Sequence, residues 1–112
     1  MIKIGIDIIE IKRIENLIDK FGIQKLKFLN NDEFCSDKPQ NIAGIYAAKE
    51  AFSKALGFGI GEKFSFKDIS ILKNNYGKPF IKINSSKIKI KNCDLSITHD
   101  GGFAIAAVIV EI

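Results

Sequence analysis

Residues 94–112 read DLSITHDGGFAIAAVIVEI, and this stretch decides the fold. Asp94 to His99 is expected to form a strand, and Asp100-Gly101-Gly102 then turns the chain. Phe103 to Ile112 is a strongly apolar final strand, which we expect to be buried on both faces. Two strands joined by such a short turn form a hairpin, so the sheet must contain antiparallel pairing.

The N-terminal residues repeat the strand pattern and then change to a helical one. Ile2 to Ile9 place isoleucines 2, 4, 6 and 8 on one face and Lys3, Gly5, Asp7 and Ile9 on the other. Residues 11–21 carry apolar side chains at helical spacing, and Gly22 is a good terminator. Residues 24–29 are expected to form a short second helix, with Asn31 or Asp32 capping the turn that follows.

The middle of the chain predicts one long helix and a second hairpin. Helical spacing runs from Pro39 and Gln40 to about Leu56 and stops at a run of glycines. Phe64 to Leu72 is expected to be a strand, residues 74–79 a turn, and Phe80 to Ile83 the returning strand. The order β-α-α-β-β-β-β predicts an α+β fold with a mostly antiparallel sheet, in one domain over residues 1–112.

Composition narrows the class of protein. The chain has 112 residues and a net charge of +4, which favours acidic partners such as phosphates, nucleic acid or an acidic protein. A domain this short has little room for a deep cleft, so an enzymatic site shared between subunits is plausible. The N-terminus does not resemble a signal peptide, and apolar runs fall short of the roughly 20 residues of a membrane span. We therefore expect a cytoplasmic protein without membrane contact.

The metal-binding residue types are few. Cys35 and Cys93 do not make a disulfide framework or a metal knuckle, and His99 is the single histidine. Any metal must therefore be held mainly by carboxylates, and hard oxygen ligands suit magnesium. Asp7 is the first candidate, because it sits in an otherwise apolar strand where an unpaired acid is costly to bury. Exposure to solvent, or a nearby lysine, would also account for Asp7.

Glu50 and Lys54 lie on one face of the predicted long helix, since they are four residues apart. Alanines 43, 47 and 51 share that side, which would let a ligand or another backbone come close. The simpler interpretation is an exposed salt bridge. Lys49 falls within the apolar arc of the same helix, where it either extends its amine to the surface or points at a bound anion.

Two features resemble parts of phosphate sites. His99 ends a strand and could donate a hydrogen bond to a phosphate, or it could be an ordinary turn residue. The stretch Gly57-Phe58-Gly59-Ile60-Gly61 lacks the ending of a Walker loop and follows a helix instead of opening one. It is either a flexible helix stop or a place where backbone approaches a nucleotide.

Three motifs together resemble the 4′-phosphopantetheinyl transferase family, in its short holo-acyl-carrier-protein synthase type. They are GIDIIEI at 5–11, AAKEAFSKA at 47–55 and LSITH at 95–99. The resemblance covers nearly the whole chain. It implies transfer of 4′-phosphopantetheine from coenzyme A to a serine of an apo-acyl carrier protein, with magnesium as cofactor and adenosine 3′,5′-bisphosphate released. It also implies a role in fatty acid biosynthesis and a homotrimer with sites at subunit interfaces.

The resemblance assigns roles residue by residue. Asp7 and Glu50 would bind magnesium, and with Lys54 they form the catalytic set. Lys54 would also hold the coenzyme A phosphates, and His99 would contact a phosphate. Arg13 would grip an acidic helix of the carrier protein. The serine proton would pass to Glu50, to Asp7 or to a metal-bound hydroxide.

One position departs from the family. Many relatives carry a basic residue and an aromatic before the central motif, whereas this chain has Ile45 and Tyr46. The corresponding phosphate contact is either missing or supplied elsewhere, with Lys49 as the candidate; Lys49 joins Lys54, Gly59 and His99 in the predicted coenzyme A site.

Two other classes of protein are less consistent with the sequence. A nucleic-acid-binding module would interleave basic residues with exposed aromatics, whereas most of the nine phenylalanines lie in apolar patterns. Phe58 is the exception. A non-catalytic oligomeric scaffold would leave unexplained why Asp7, Glu50, Lys54 and His99 all coincide with one family's site. We therefore expect no nucleic-acid partner.

Overall fold

The computed structural model describes residues 1–34, 36–61 and 63–112, and its elements follow the predicted order. They are β1 (Ile2–Glu10), α1 (Ile11–Phe21), α2 (Pro39–Leu56), β2 (Ile69–Lys73), β3 (Pro79–Ile83), β4 (Asn92–Asp100) and β5 (Phe103–Glu111). Short 3-10 helices occur at Ile23–Lys25, Asn31–Glu33 and Phe66–Asp68. The predicted α+β class with antiparallel pairing is confirmed.

The strands form two antiparallel sheets. The larger sheet has the order β1-β5-β4, and the smaller one pairs β2 with β3. The predicted hairpin at the C-terminal end is present, with Asp100 opposite Phe103. Strand β5 therefore lies at the centre of the larger sheet, where Ala106 is opposite both Asp7 of β1 and Ile97 of β4.

Both long helices end as the glycines predict, and the differences from expectation lie in the connections. Gly22 and Gly57 follow α1 and α2 with φ angles of 80° and 83°. The expected helix over 24–29 is a single 3-10 turn. The expected strand from Phe64 begins only at Ile69, because the Ser65 hydroxyl accepts a hydrogen bond from the Lys67 backbone and starts a 3-10 turn.

Helix α2 packs against the larger sheet at very short range. A Cβ atom on Gly5 would lie 1.9 Å from the carbonyl oxygen of Ala51, so the strand and helix backbones are in contact there. Ala47 and Phe52 are also fully buried, on different sides of α2. The helix is thus enclosed between the larger sheet and a second layer, which agrees with the prediction that its small residues admit another backbone. Neither helix of the described chain is long and apolar enough to cross a membrane.

The opposite face of the larger sheet is exposed and apolar. Its isoleucines at positions 2, 4, 6 and 8 are 58–72% exposed, and Ile109 and Phe103 of β5 are 48% and 40% exposed. The expectation that β5 is buried on both faces is therefore wrong within this chain. Helix α2 covers only the side that carries Ala104, Ala106, Val108 and Val110.

Candidate active site

Asp7 forms an ion pair with the long helix. It projects from β1 toward α2, where its Oδ1 lies 3.0 Å from the Lys54 Nζ atom. The same amine donates a hydrogen bond to the backbone carbonyl of Ile6 at 3.1 Å. The Asp7 side chain is 15% exposed and the Lys54 side chain 54% exposed, so the pair opens to solvent on the lysine side. The carboxylate is thus stabilised by a cation while it stays accessible to a ligand.

The charges of both predicted acidic residues act on the side chain of Tyr46. Burial and then the nearby Glu50 carboxylate raise the pKa of the Tyr46 phenol, Arg13 opposes this rise, and Asp7 adds to it. The Arg13 guanidinium carbon lies 5.9 Å from the centre of the Tyr46 ring. Asp7 and Glu50 therefore act on one phenol, although they are far apart in sequence. We call Asp7, Tyr46, Glu50 and Lys54 the acidic cluster, with Arg13 beside it.

Tyr46 was not among the predicted site residues, although its spacing could have revealed it. Tyr46, Glu50 and Lys54 follow one another at intervals of four residues, so they share one face of α2. The aromatic ring also packs at its edge against Phe28, with ring centres 5.1 Å apart. Packing therefore orients the phenol beside the acids.

The donor set of the acidic cluster fits magnesium. Among the residues described, histidine, cysteine and acidic side chains form no group of three or more that could hold a metal. A pair of carboxylates such as Asp7 and Glu50 is nevertheless what Mg²⁺ commonly uses, since it completes its shell with water and substrate phosphates. A structural zinc site would need four protein ligands. The oxygen ligands present thus match a hard cation with open coordination positions.

Lys49 does not reach an anion site. Its side chain is fully buried, and its Nζ atom lies 2.7 Å from Glu33 Oε1, whose side chain is also fully buried. The amine donates two further hydrogen bonds, to the carbonyls of Phe28 at 2.6 Å and Phe66 at 2.8 Å. All three ammonium protons are thus used within the protein. The structure contradicts the expectation that Lys49 binds coenzyme A.

The Lys49–Glu33 pair instead joins three parts of the fold. Glu33 Oε2 accepts a hydrogen bond from the backbone of Ile71 in β2 at 2.7 Å, and Oε1 accepts one from Asn30 at 2.7 Å. Burial lowers the pKa of the Lys49 amine, and the Glu33 carboxylate opposes that change. The pair holds β2, and with it the β2–β3 hairpin, against α2. Asn30, not Asn31 or Asp32, occupies the capping position of this turn.

His99 lies apart from the acidic cluster in this chain. It is exposed at the end of β4 and borders a cavity of about 180 Å³, which we call the His99 cavity. Ile42, Ile45, Ile71, Leu72, Lys73, Gly77, Pro79 and Ile97 also line it. The acidic cluster contributes none of its residues to this lining among those described. One copy of the chain therefore presents two separate groups of predicted site residues.

The remaining predictions concern Gly59 and the cysteines. Gly59 is exposed, and a Cβ atom there would meet nothing within 4 Å among the described residues, so no close backbone approach is made within this chain. Cys93 is a free, partly buried thiol, and burial raises its pKa, which disfavours the reactive thiolate. Cys35 lies outside the described residues.

Comparison with known proteins relates this arrangement to one family. Residues 3–108 match the family model of the 4′-phosphopantetheinyl transferase superfamily. The chain is 59% identical over 110 residues to the holo-[acyl-carrier-protein] synthase of Nautilia profundicola, across 96% of this chain and 97% of that protein. It is 54% identical to the enzyme of the same name from Campylobacter hominis, across 96% of each.

A solved structure agrees with the fold. The Helicobacter pylori holo-[acyl-carrier-protein] synthase, determined in complex with coenzyme A, superimposes with a TM-score of 0.90 at 46% identity. The match covers 96% of this chain and 99% of that one. Fold and sequence therefore point to the same family.

Proposed function

The chain belongs to the 4′-phosphopantetheinyl transferase superfamily, and from this premise we propose that it transfers 4′-phosphopantetheine from coenzyme A to a serine of an apo-acyl carrier protein. The observation that carries the proposal is the Asp7–Lys54 ion pair at 3.0 Å, with Glu50 one turn before Lys54 on the same face of α2. Relatives at up to 59% identity are named for this activity, and one was solved with coenzyme A. The chain is accordingly an enzyme of the transferase class.

In the proposed reaction, the serine oxygen forms a bond to the β-phosphorus of coenzyme A. The bond between that phosphorus and the bridging diphosphate oxygen breaks, and adenosine 3′,5′-bisphosphate leaves. The serine proton must be removed as the new bond forms. Such phosphoryl transfer requires alignment and charge neutralisation more than covalent participation of the protein.

Each residue of the acidic cluster has a task in this scheme. Lys54 is half-exposed and held by Asp7, so its ammonium would neutralise charge on the leaving diphosphate oxygens. Glu50 would accept the serine proton. Asp7 and Glu50 would also hold Mg²⁺, which would offset negative charge on the diphosphate. Tyr46 would keep its proton, since burial and Glu50 raise its pKa, and its ring would orient Glu50.

Arg13 is placed to receive the second substrate. It is exposed in the first turn of α1, and its guanidinium lies over Tyr46 at the edge of the acidic cluster. A cation there would attract an acidic carrier protein and bring its serine toward Glu50. We propose that Arg13 binds the carrier and not coenzyme A.

We propose a homotrimer with sites between its subunits, and two observations support association of copies of the chain. The exposed isoleucine face of β1 and β5 is a continuous apolar surface of the kind that marks an interaction site. The second observation is that the His99 cavity and the acidic cluster are separate in one chain. Association of copies would let His99 and Gly59 of one subunit complete the site of another. We further propose that the enzyme works in the cytoplasm and serves fatty acid biosynthesis.

The proposal is tested by assaying transfer to an apo-carrier protein with magnesium and with a chelator. We expect transfer by the wild-type chain only when magnesium is present. Asp7→Asn and Glu50→Gln should fold, as circular dichroism would show, yet transfer at least roughly 100-fold more slowly. If both variants transferred at near-normal rates, the proposal of a two-carboxylate site would be rejected. Thermal stabilisation by a DNA oligomer, but not by coenzyme A with magnesium, would favour the nucleic-acid alternative.

A further inference from the structure

The His99 cavity combines apolar walls with the side chains of Lys73 and His99. Isoleucines 42, 45, 71 and 97, Leu72 and Pro79 form the apolar part of the wall, and Ser36, Gln40 and Asn41 add neutral polar groups. Lys73 and His99 are the lining residues that can carry a positive charge. Glu33 also borders the cavity, but Lys49 and the backbones of Asn30 and Ile71 occupy its oxygens. A cavity of this composition suits a ligand with a flat apolar part and an anionic substituent.

Lys73 stands out among the lysines near this cavity. Lys78, on the same hairpin, donates to Asp94 Oδ1 at 3.1 Å and to the carbonyl of Leu95 at 3.3 Å. Lys82 is paired with Asp32 at 3.0 Å. Within the described parts of the chain, Lys73 and His99 have no side-chain hydrogen bond or ion pair. Both are therefore available to a ligand at the mouth of the same cavity.

The backbone that carries Lys73 is held in place. Lys73 pairs with Pro79 on the last rung of the β2–β3 hairpin. The turn beyond it is closed by the Asn74 side chain, whose Oδ1 accepts hydrogen bonds from the backbones of Tyr76 at 2.9 Å and Lys78 at 3.0 Å. Because the backbone at Lys73 is already held in place, less conformational entropy is lost when its side chain binds an anion.

We propose that Lys73 binds the ribose 3′-phosphate of coenzyme A in the His99 cavity and replaces the cation that position 45 lacks. Ile45 lines the same cavity as Lys73, so a charge at either position reaches the same space. The phosphomonoester is a dianion, whereas each diphosphate group carries one charge, so a free ammonium selects for it. This assignment rests on the proposed function, because it presumes that coenzyme A is the substrate.

The test compares coenzyme A with 3′-dephospho-coenzyme A, by calorimetric binding to the full chain and by transfer kinetics. Wild type should bind coenzyme A more tightly than the dephospho form. Lys73→Ala should weaken coenzyme A binding roughly 10-fold or more, and raise its KM to match, because a charge-assisted hydrogen bond is lost. Binding of the dephospho form should not change. Lys89→Ala, which removes an exposed lysine outside the cavity, should leave both ligands unaffected.

Ile45→Arg in the Lys73→Ala background should recover coenzyme A binding. If that buried position does not tolerate arginine, Lys73→Arg should keep the preference for the 3′-phosphate. An unchanged ratio of the two affinities in Lys73→Ala would overturn the assignment, and so would a wild type that does not discriminate between them. A wild type that discriminates in binding but transfers nothing would instead reject the proposed function and leave the phosphate contact supported.

Discussion

Gly5 and Ala51 are in backbone contact, because a Cβ atom on Gly5 would lie 1.9 Å from the Ala51 carbonyl oxygen. Gly5→Ala must therefore push β1 away from α2, and we expect it to cost about 3 kcal/mol or more of the free energy of unfolding. Urea denaturation measures this cost. Gly61→Ala is the matched control, because its Cβ would enter open space and should change stability by less than about 0.5 kcal/mol. Equal stabilities for the two variants would contradict the close contact.

The buried Lys49–Glu33 pair predicts strong energetic coupling. Lys49→Met should destabilise the fold by about 3–5 kcal/mol, because it leaves the Glu33 charge buried without its cation. In a double-mutant cycle, Glu33→Gln should lower the free energy of unfolding much less in the Lys49→Met background than in the wild type. Lys82→Met breaks an exposed pair and should cost less than about 1 kcal/mol. Additive losses for Lys49 and Glu33 would argue against direct pairing.

Tyr46 should report the charge of Glu50. The chain has two tyrosines, so in a Tyr76→Phe background an absorbance titration follows Tyr46 alone. Its midpoint should lie above 10.0, and Glu50→Gln should lower it while burial keeps part of the rise. Because the folded pKa exceeds the unfolded one, Tyr46 adds stability below about pH 10 that is lost as pH rises through the folded pKa. If the titration midpoint of Tyr46 were the same with and without Glu50→Gln, the Glu50 carboxylate would not act on the Tyr46 phenol.

Arg13→Ala should affect the carrier protein selectively. Loss of an exposed cation beside the acidic cluster should raise the KM for the apo-carrier roughly 10-fold, with the KM for coenzyme A unchanged. Steady-state kinetics with each substrate varied in turn measures the effect. Lys20→Ala, at the other end of α1, is the control and should change neither value appreciably. If only the KM for coenzyme A rose, Arg13 would belong to the coenzyme A site and not to the carrier-protein site.

The exposed isoleucine face should govern assembly. Ile6 is 61% exposed at the middle of that face, so Ile6→Asp should yield monomers in sedimentation experiments and abolish transfer. Phe21→Asp replaces a side chain that is 49% exposed on α1 and should leave the oligomeric state intact. If Ile6→Asp remained trimeric and active, the apolar face would need another explanation.

Local patterns predicted most of the fold. The change from alternating to helical spacing around Ile11 locates α1, and Gly22 and Gly57 end the two helices where the sequence places them. Burial of β5 could not be predicted in the same way. Its apolar residues look alike on both faces, and only the position of α2 decides that Val108 is covered and Ile109 is not. Periodicity identifies faces but not the layer that packs on them.

The candidate site was predictable where its residues share one helix face. Glu50 and Lys54 are one turn apart, and Asp7 proved to pair with Lys54. Lys49 could not be assigned by spacing, because its partner Glu33 comes from a 3-10 turn that only tertiary packing brings to α2. The position of Lys49 in the apolar arc correctly marked it as unusual. Its ammonium group is paired with the buried Glu33 carboxylate and not with a ligand.

Strand β5 lies between β1 and β4, and β1 pairs with it along nine residues from Ile2–Glu111 to Glu10–Phe103. During synthesis, the N-terminal strand therefore emerges from the ribosome about a hundred residues before its hydrogen-bonding neighbour. Its isoleucines and unpaired backbone remain exposed over that interval, so the larger sheet forms only after β5 has been made, and we expect slow folding, as for a topology of high contact order.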